Sequence, residues 1–398
     1  MLRIVNKKKR LLTEFLDKIG YGIFKPVSFF WPKRMDTKKI KKILAIRTAY
    51  IGDVVLTIPA IKLLSDGFPQ AKISFLTCST AKNALEKNPY IDEIITYDVP
   101  WFYPQKKLSI LGNYVSLIKT IRSRRFDMII EFRGDFRDIL MIVFPSHASR
   151  KMGYGITGGG YLLTDVVACT DYKHKVEFHL DIVRSLGCNS TPDIMNLYPT
   201  PEDRSTVEKL LQEMGIKRGG VLVGIHPGGR VKLKSWDIKY YAEVADALAE
   251  KYDANILITG GPDEVEIGES LLRLMKRKGF NLCGKLSLRQ LQALMKKMDL
   301  FITNDTASLH IASGANVPTV AIFGPSEVWD TGPLSERHKV IMKELECRIS
   351  CDTYRCHNKN YHECLRSIRP EEVIEACIGI LESVEEGSGI RNEDLIIK

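Results

Sequence analysis

No apolar run in the 398 residues approaches the roughly 18 needed to cross a bilayer as a helix. That excludes an integral helical membrane protein. The start, MLRIVNKKKRLLTEF, has neither the apolar core nor the small-residue cleavage site of a signal peptide. A cytoplasmic protein is therefore expected. The fingerprint G-x-G-x-x-G is missing after the first strand-like run of either half, which argues against a dinucleotide oxidoreductase. No low-complexity tract or short repeat interrupts the chain. The nine cysteines include no C-x2-C pair, so the usual zinc knuckles are absent.

Acidic residues are scarce in one place only. Residues 1–42 carry thirteen Lys or Arg against three Asp or Glu, so the whole net charge of +10 lies there. A nucleic-acid binder usually wears its basic patch on the folded domain. Here the rest of the chain is neutral, so no nucleic-acid partner is expected and an anionic membrane surface is favoured. Leu11, Leu12, Phe15, Leu16 and Ile19 recur at helical spacing, with Arg10, Glu14, Asp17 and Lys18 opposite. An aromatic cluster of Phe24, Phe29, Phe30 and Trp31 follows. Residues 1–42 thus read as a basic amphipathic membrane-associating segment. The competing reading buries the apolar stripe in the protein, as amphipathic helices usually do.

Beyond residue 42 the composition is that of a globular protein, long enough for two domains. Short apolar runs alternate with helical stretches. ILAIRT (43–48), KISFLT (72–77), EIITYD (93–98) and FDMIIEF (126–132) read as strands, with VVLTIPAIKLLSD as one helix. The stretch 188–202, CNSTPDIMNLYPTPE, has the composition of a linker. A second alternation follows: VLVGIH (221–226), NILITGG (255–261), DLFITN (299–304) and PTVAIFG (318–324). Strands alternating with helices mean parallel sheets covered on both faces. The fold expected is α/β, with Rossmann-like doubly wound domains at 43–190 and 203–385.

Ligands of such sheets bind beyond the carboxyl ends of the strands. Four strand ends carry polar chemistry. Asp53 follows the first strand, where it could cap a helix or serve as a general base. HPGGRVKLKSW (226–236) puts Gly228 and Gly229 before Arg230, Lys232 and Lys234, a pattern suited to phosphate but also to an exposed polar loop. TGGPDEVE places Asp263 and Glu264 at a helix start, where they could take ribose hydroxyls or complement the helix dipole. In NDTASLHIA, Asp305 and Thr306 precede a helix whose N-terminus suits an anion, with His310 one turn in. Separately, Cys347, Cys351, Cys356 and Cys364 form C-x3-C-x4-C-x7-C. A structural metal and a thiol-rich packed loop are the two readings of that cluster.

ILAIRTAYIGDVVLTIPAIKLL, HPGGRVKLKSW and TNDTASLHIASGANVPTVAIFGPS resemble, in this order, three motifs of the heptosyltransferase family, glycosyltransferase family nine. The resemblance covers about residues 43–385. It implies a GT-B fold, two Rossmann-like domains facing a cleft, and an inverting, metal-independent transfer with no cofactor. It makes Asp53 the catalytic base and Lys234, of the K-x-W signature with Trp236, the phosphate ligand. Asp305, Thr306, Ala307 and His310 fall in the donor site, and Asp263 or Glu264 reaches the ribose. Closure of the domains would align the substrates. The family implies ADP-heptose as donor and a lipid-linked lipopolysaccharide core as acceptor, with the enzyme peripheral on the inner membrane. A relative using another nucleotide sugar, a nucleotide-sugar epimerase and a non-catalytic nucleotide-sugar-binding protein are the alternatives. Two positions depart from the family: Ala307 stands where Gly is frequent, and Glu131 where Asp is common.

Overall fold

The computed structural model describes residues 7–27, 37–103, 107–191, 195–216, 220–351, 355–385 and 396–397. The chain divides into two units, Met1–Asp193 and Ile194–Lys398. The division falls inside the stretch read as a linker. The first unit runs α1 (Lys7–Val27), β1 (Lys42–Arg47), α2 (Ile51–Val55), α3 (Ile58–Gly67), β2 (Lys72–Thr77), β3 (Glu93–Thr96), α4 (Lys107–Arg124), β4 (Met128–Glu131), α5 (Phe136–Asp138), β5 (Arg150–Gly153), β6 (Asp165–Val166) and α6 (Lys175–Arg184).

The second runs α7 (Pro201–Glu213), β7 (Leu222–His226), α8 (Ile238–Tyr252), β8 (Asn255–Ile258), α9 (Val265–Leu274), β9 (Gly279–Asn281), α10 (Leu288–Met295), β10 (Leu300–Asn304), α11 (Ala307–Ala315), β11 (Thr319–Ile322), α12 (Val328–Thr331), β12 (His338–Ile341), α13 (Glu363–Arg366), α14 (Pro370–Glu385) and β13 (Ile396–Ile397).

Each unit is built on one parallel sheet. The first has the order β3-β2-β1-β4-β5-β6. The second, taken from its far edge, is β9-β8-β7-β10-β11-β12-β13, the same winding with one strand more. β7 therefore corresponds to β1 and β10 to β4. The order of winding reverses at these central pairs, which is where a doubly wound sheet opens a crevice for ligands. The central strands are apolar along their length because both faces are covered: β1 is buried from Ile43 to Arg47, and β7 and β10 throughout. Each fully buried Ile, Leu or Val there contributes roughly 1.5–3 kcal/mol.

The helix expected over VVLTIPAIKLLSD is two helices. Pro59 lacks an N–H and its ring crowds the carbonyl four residues back, so α2 stops at Val55 and α3 restarts with Pro59 in its first turn. The break leaves the residues around Asp53 as a short turn of helix at the end of β1. Helix α7 begins at Pro201, within the supposed linker, closed by a capping box between Thr200 and Asp203. Strands β5, β6, β9, β12 and β13 were not expected. α1 belongs to the first unit; of the aromatic cluster, Phe29, Phe30 and Trp31 lie outside the described residues.

Candidate active site

In the first unit, β1 ends on Arg47 and delivers its side chain into a buried position, 5% exposed. Arg47 Nη2 donates to Asp53 Oδ1 at 2.8 Å, and Lys175 Nζ, from the start of α6, lies 3.8 Å from the same oxygen. Asp53 does not cap a helix. The N-cap of α2 is Tyr50, which makes no side-chain cap, and the Asp53 carboxylate is committed to the two cations while remaining 29% exposed. Burial opposes its charge, but Arg47 and then Lys175 outweigh that and hold the carboxyl well below the usual carboxylate range. The result is a fixed, ionised, accessible carboxylate.

Behind it the structure stacks more charge than sequence reasoning foresaw. His179 of α6 is buried, with Nδ1 3.0 Å from the Leu56 carbonyl, and burial and then Arg47 push it down to about 3, so it is neutral. Glu131, the last residue of β4, is fully buried and accepts backbone N–H groups from Arg133 and Gly134. Asp138 accepts from Thr48 Oγ1 at 2.6 Å. Burial raises both carboxyls above their ordinary range, and for Glu131 the nearby Asp138 adds to it. Around the rim, the Arg133 guanidinium lies 4.4 Å from the centre of the Phe102 ring, and Phe102 meets Tyr50 edge-on at 5.0 Å.

In the second unit, β7 ends on His226 and leads into the glycine pair. Gly228 lies against the Glu264 carboxylate, so a Cβ there would force that side chain to move. Glu264 also accepts the Gly261 N–H at 2.7 Å and sits 3.8 Å from His226 Nε2. Asp263, the alternative ribose ligand, is exposed. Asn304 at the end of β10 ties the loop together. Its Nδ2 donates to the Pro227 carbonyl at 3.0 Å, and its Oδ1 accepts from the Trp236 N–H at 3.1 Å and the Tyr241 hydroxyl at 2.9 Å. Trp236 is buried and its Nε1 donates to the Ile368 carbonyl at 3.2 Å. This explains the K-x-W spacing: the indole anchors the loop and presents Lys234 two residues before it.

Lys234 Nζ donates to Asp305 Oδ2 at 2.6 Å; the carboxylate is 4% exposed and the ammonium 22%. Burial works against the Asp305 charge, but Lys234 and His310 hold it below its ordinary range. Thr306 is the N-cap of α11, and its hydroxyl pairs with Ser308 Oγ at 2.6 Å instead of capping, which leaves the first turn of the helix without a side-chain cap. Gly229 packs close to Thr306: a Cβ on it would lie 2.8 Å from Thr306 Cγ2. The glycine loop, Lys234 and the start of α11 are thus one place, and an amide-lined helix end beside a cation suits a diphosphate. Arg230 is exposed at the edge of the loop.

Cys347, Cys351, Cys356 and Cys364 line one small cavity with His357 and His362. Burial, and then the other three thiols, push Cys364 up to about 11. Among the described residues no three Cys, His, Asp or Glu side chains are grouped so as to hold a metal ion, and residues 352–354 of this loop lie outside them. His362 Nε2 reaches the Leu233 carbonyl at 2.8 Å, so the cysteine loop braces the segment that carries Lys234.

Two doubly wound parallel sheets with polar strand ends at both switch points are the architecture of the GT-B glycosyltransferases. The description "Glycosyltransferase family 9 (heptosyltransferase)" matches residues 114–362, more than half of the chain, and the chain belongs to that family. "Lipooligosaccharide heptosyltransferase 2" of Campylobacter jejuni is 27% identical over 348 residues, covering 86% of this chain and 99% of the relative. The family 9 glycosyl transferase of Veillonella parvula superposes with a TM-score of 0.73 at 23% identity, covering 88% of this chain and 99% of that one. The E. coli ADP-heptose lps heptosyltransferase II gives 0.68 at 22%, covering 86% and 99%. At such identities the two structures share the fold with this chain.

Proposed function

We propose that this glycosyltransferase moves heptose from ADP-heptose onto the lipid-linked core of lipopolysaccharide, at the cytoplasmic face of the inner membrane. The observation that carries the donor half is the junction of Lys234, Gly228, Gly229 and the uncapped start of α11. Lys234 and the amides at 306–308 take the charge that grows as the diphosphate leaves, so no divalent metal is needed. Glu264 reaches the ribose, being the acidic residue that packs on the glycine loop.

In the acceptor half, Asp53 is the base. A carboxyl held so far below its usual range cannot strip a sugar hydroxyl in advance. It takes the proton only as the oxygen bonds to the anomeric carbon and becomes acidic. One C–O bond forms, the bond from that carbon to the diphosphate oxygen breaks, ADP departs with the electron pair, and the anomeric centre inverts.

The test offers the purified protein ADP-heptose, UDP-GlcNAc and GDP-mannose with a lipid A–Kdo acceptor and reads products by mass spectrometry, with and without EDTA. A mass increase of one heptose from ADP-heptose alone, undiminished by EDTA, is expected. Transfer from another donor only would move the chain to a different substrate within its family. EDTA-sensitive turnover restored by Mg²⁺ or Mn²⁺ would remove Lys234 from its role.

A further inference from the structure

Helix α1 is docked backwards. An amphipathic helix usually turns its apolar stripe to the protein. Here the contacts to the first unit come from the other side. The Asp17 carboxylate accepts the Gly159 N–H at 2.9 Å. Tyr21 and Phe24 pack on Tyr161 at ring distances of 5.8 and 5.4 Å, and Phe24 meets Phe144 edge-on at 5.8 Å. The fit is close. A Cβ on Gly158 would lie 2.7 Å from Thr13 Cγ2, one on Gly160 2.7 Å from the Tyr21 hydroxyl, and one on Gly20 2.4 Å from the Tyr161 ring. Glycines on both partners let the helix lie against the 158–161 loop.

The consequence is an exposed ridge. Leu11, Leu12, Phe15, Leu16, Ile19 and Ile23 are each 45–60% exposed. At 3.6 residues per turn they span an arc of about 140°, centred nearly opposite the docked side. Lys9 and Lys18 fall at the two margins of that arc, and Lys8 lies within it one turn before Leu12; all three are exposed. The one acid facing away from solvent, Asp17, is used up in the dock. Elsewhere on this unit Leu140 and Met141, a few residues before the Phe144 that Phe24 touches, and Leu111 and Val115 of α4 are exposed as well.

The geometry points to this ridge as a membrane-docking surface for anionic lipid. Apolar side chains at the crest with lysines at the margins match the acyl and headgroup layers of such a bilayer, and the charge excess of residues 1–42 has the matching sign. The helix is held by its opposite face, so the surface is preformed. It lies on the unit that carries Asp53, the unit assigned the lipid-linked acceptor. The inference deepens that functional reading but does not need it, because lipid binding is measured without donor or acceptor.

The test is flotation of the full chain with vesicles of phosphatidylcholine, with and without phosphatidylglycerol, free of lipopolysaccharide. Wild type floats with the anionic vesicles. Phe15→Ser/Ile19→Ser lowers the partition at least tenfold at any salt, since the apolar contribution is not screened, with an unchanged circular-dichroism melt. Lys8→Glu/Lys9→Glu lowers it at low salt and much less at high salt. Transfer to a soluble, delipidated acceptor is unchanged in both variants. Absence of wild-type binding, or equal binding by the ridge variant, overturns the assignment. So does a concentration-dependent dimer that the ridge variant abolishes while vesicle binding is absent, because the ridge then belongs to a second copy. Loss of all sugar transfer with intact vesicle binding would sink the enzymatic reading and leave this one standing.

Discussion

The two units use one winding to expose opposite charges. In the first, the buried partner is the cation: Arg47 is 5% exposed and Asp53 29%. In the second, the buried partner is the anion: Asp305 is 4% exposed and Lys234 22%. Each pair sits at the switch point of its sheet, so each unit presents one charged group backed by a hidden counter-charge. An exposed carboxylate is what a proton acceptor must be, and an exposed ammonium is what a phosphate needs. The hidden member fixes the position and the ionisation of the exposed one. The corresponding strand ends differ as well. β4 ends in the carboxyl of Glu131, and β10 ends in the neutral amide of Asn304.

If the first unit contributes the reactive anion, removing its charge does the greatest damage. Asp53→Asn keeps the size and should retain the fold by circular dichroism, while kcat/KM falls roughly 10²–10⁴-fold. Near-normal turnover in a folded variant would mean that the exposed carboxylate is only structural and the comparison false. On the other unit, Lys234→Ala removes one charge-assisted contact. At about 1.5–3 kcal/mol that is roughly 10–150-fold in donor affinity, read as KM for the nucleotide sugar or by calorimetry with ADP. Asp305→Asn should weaken donor binding less, because Lys234 keeps its charge and loses only its support. The double variant should be no worse than Lys234→Ala alone. Additive losses would show that Asp305 meets the donor itself instead of positioning Lys234.

The central strands were legible because continuous burial leaves an uninterrupted apolar run, as in KILAIR and LFITN. β5 was not, since Arg-Lys-Met-Gly owes its strand to the ladders with β4 and β6 and not to its own side chains. The break between α2 and α3 was readable in principle from Pro59. Asp53, Lys234 and Asp305 could be named from strand-end position and motif. Their pairing could not, because Lys234 and Asp305 are 71 residues apart and meet only through the sheet. His179 escaped for the same reason, its partner Leu56 lying 123 residues away, and so did Asn304, whereas Arg47 is only six residues from Asp53 and was passed over within the run ILAIRT. The Asn304 amide bonds groups 63 to 77 residues away, which no local pattern announces. The apolar face of α1 was visible in the sequence. That it faces away from the protein depends on Gly20 and the 158–160 glycines, whose spacing from α1 carries no signal.

The smallest expected effect concerns the difference between Glu131 and Asn304. Burial, then Asp138, raise the Glu131 carboxyl above its ordinary value of 4.5. A carboxyl raised in the folded state binds its proton more tightly there than in the unfolded chain. Below the ordinary value both states are protonated and nothing is lost. As pH rises from that value toward the raised one, the unfolded chain releases its proton first, and stability falls. Asp53 acts in the opposite window: its lowered value favours the folded state above the ordinary range and is lost only in stronger acid. The two can therefore be separated by pH. Glu131→Gln resembles the protonated acid and keeps an oxygen for one of the two backbone N–H groups of the turn. Chemical denaturation should find the variant close to wild type near pH 5 and relatively more stable near pH 8, by on the order of 1 kcal/mol. The slope diminishes without vanishing, since Asp138 is raised as well. An unchanged slope would mean that Arg47 keeps Glu131 ionised throughout. The first unit would then hold its buried charges as tightly as the second, and the contrast would reduce to the two exposed groups.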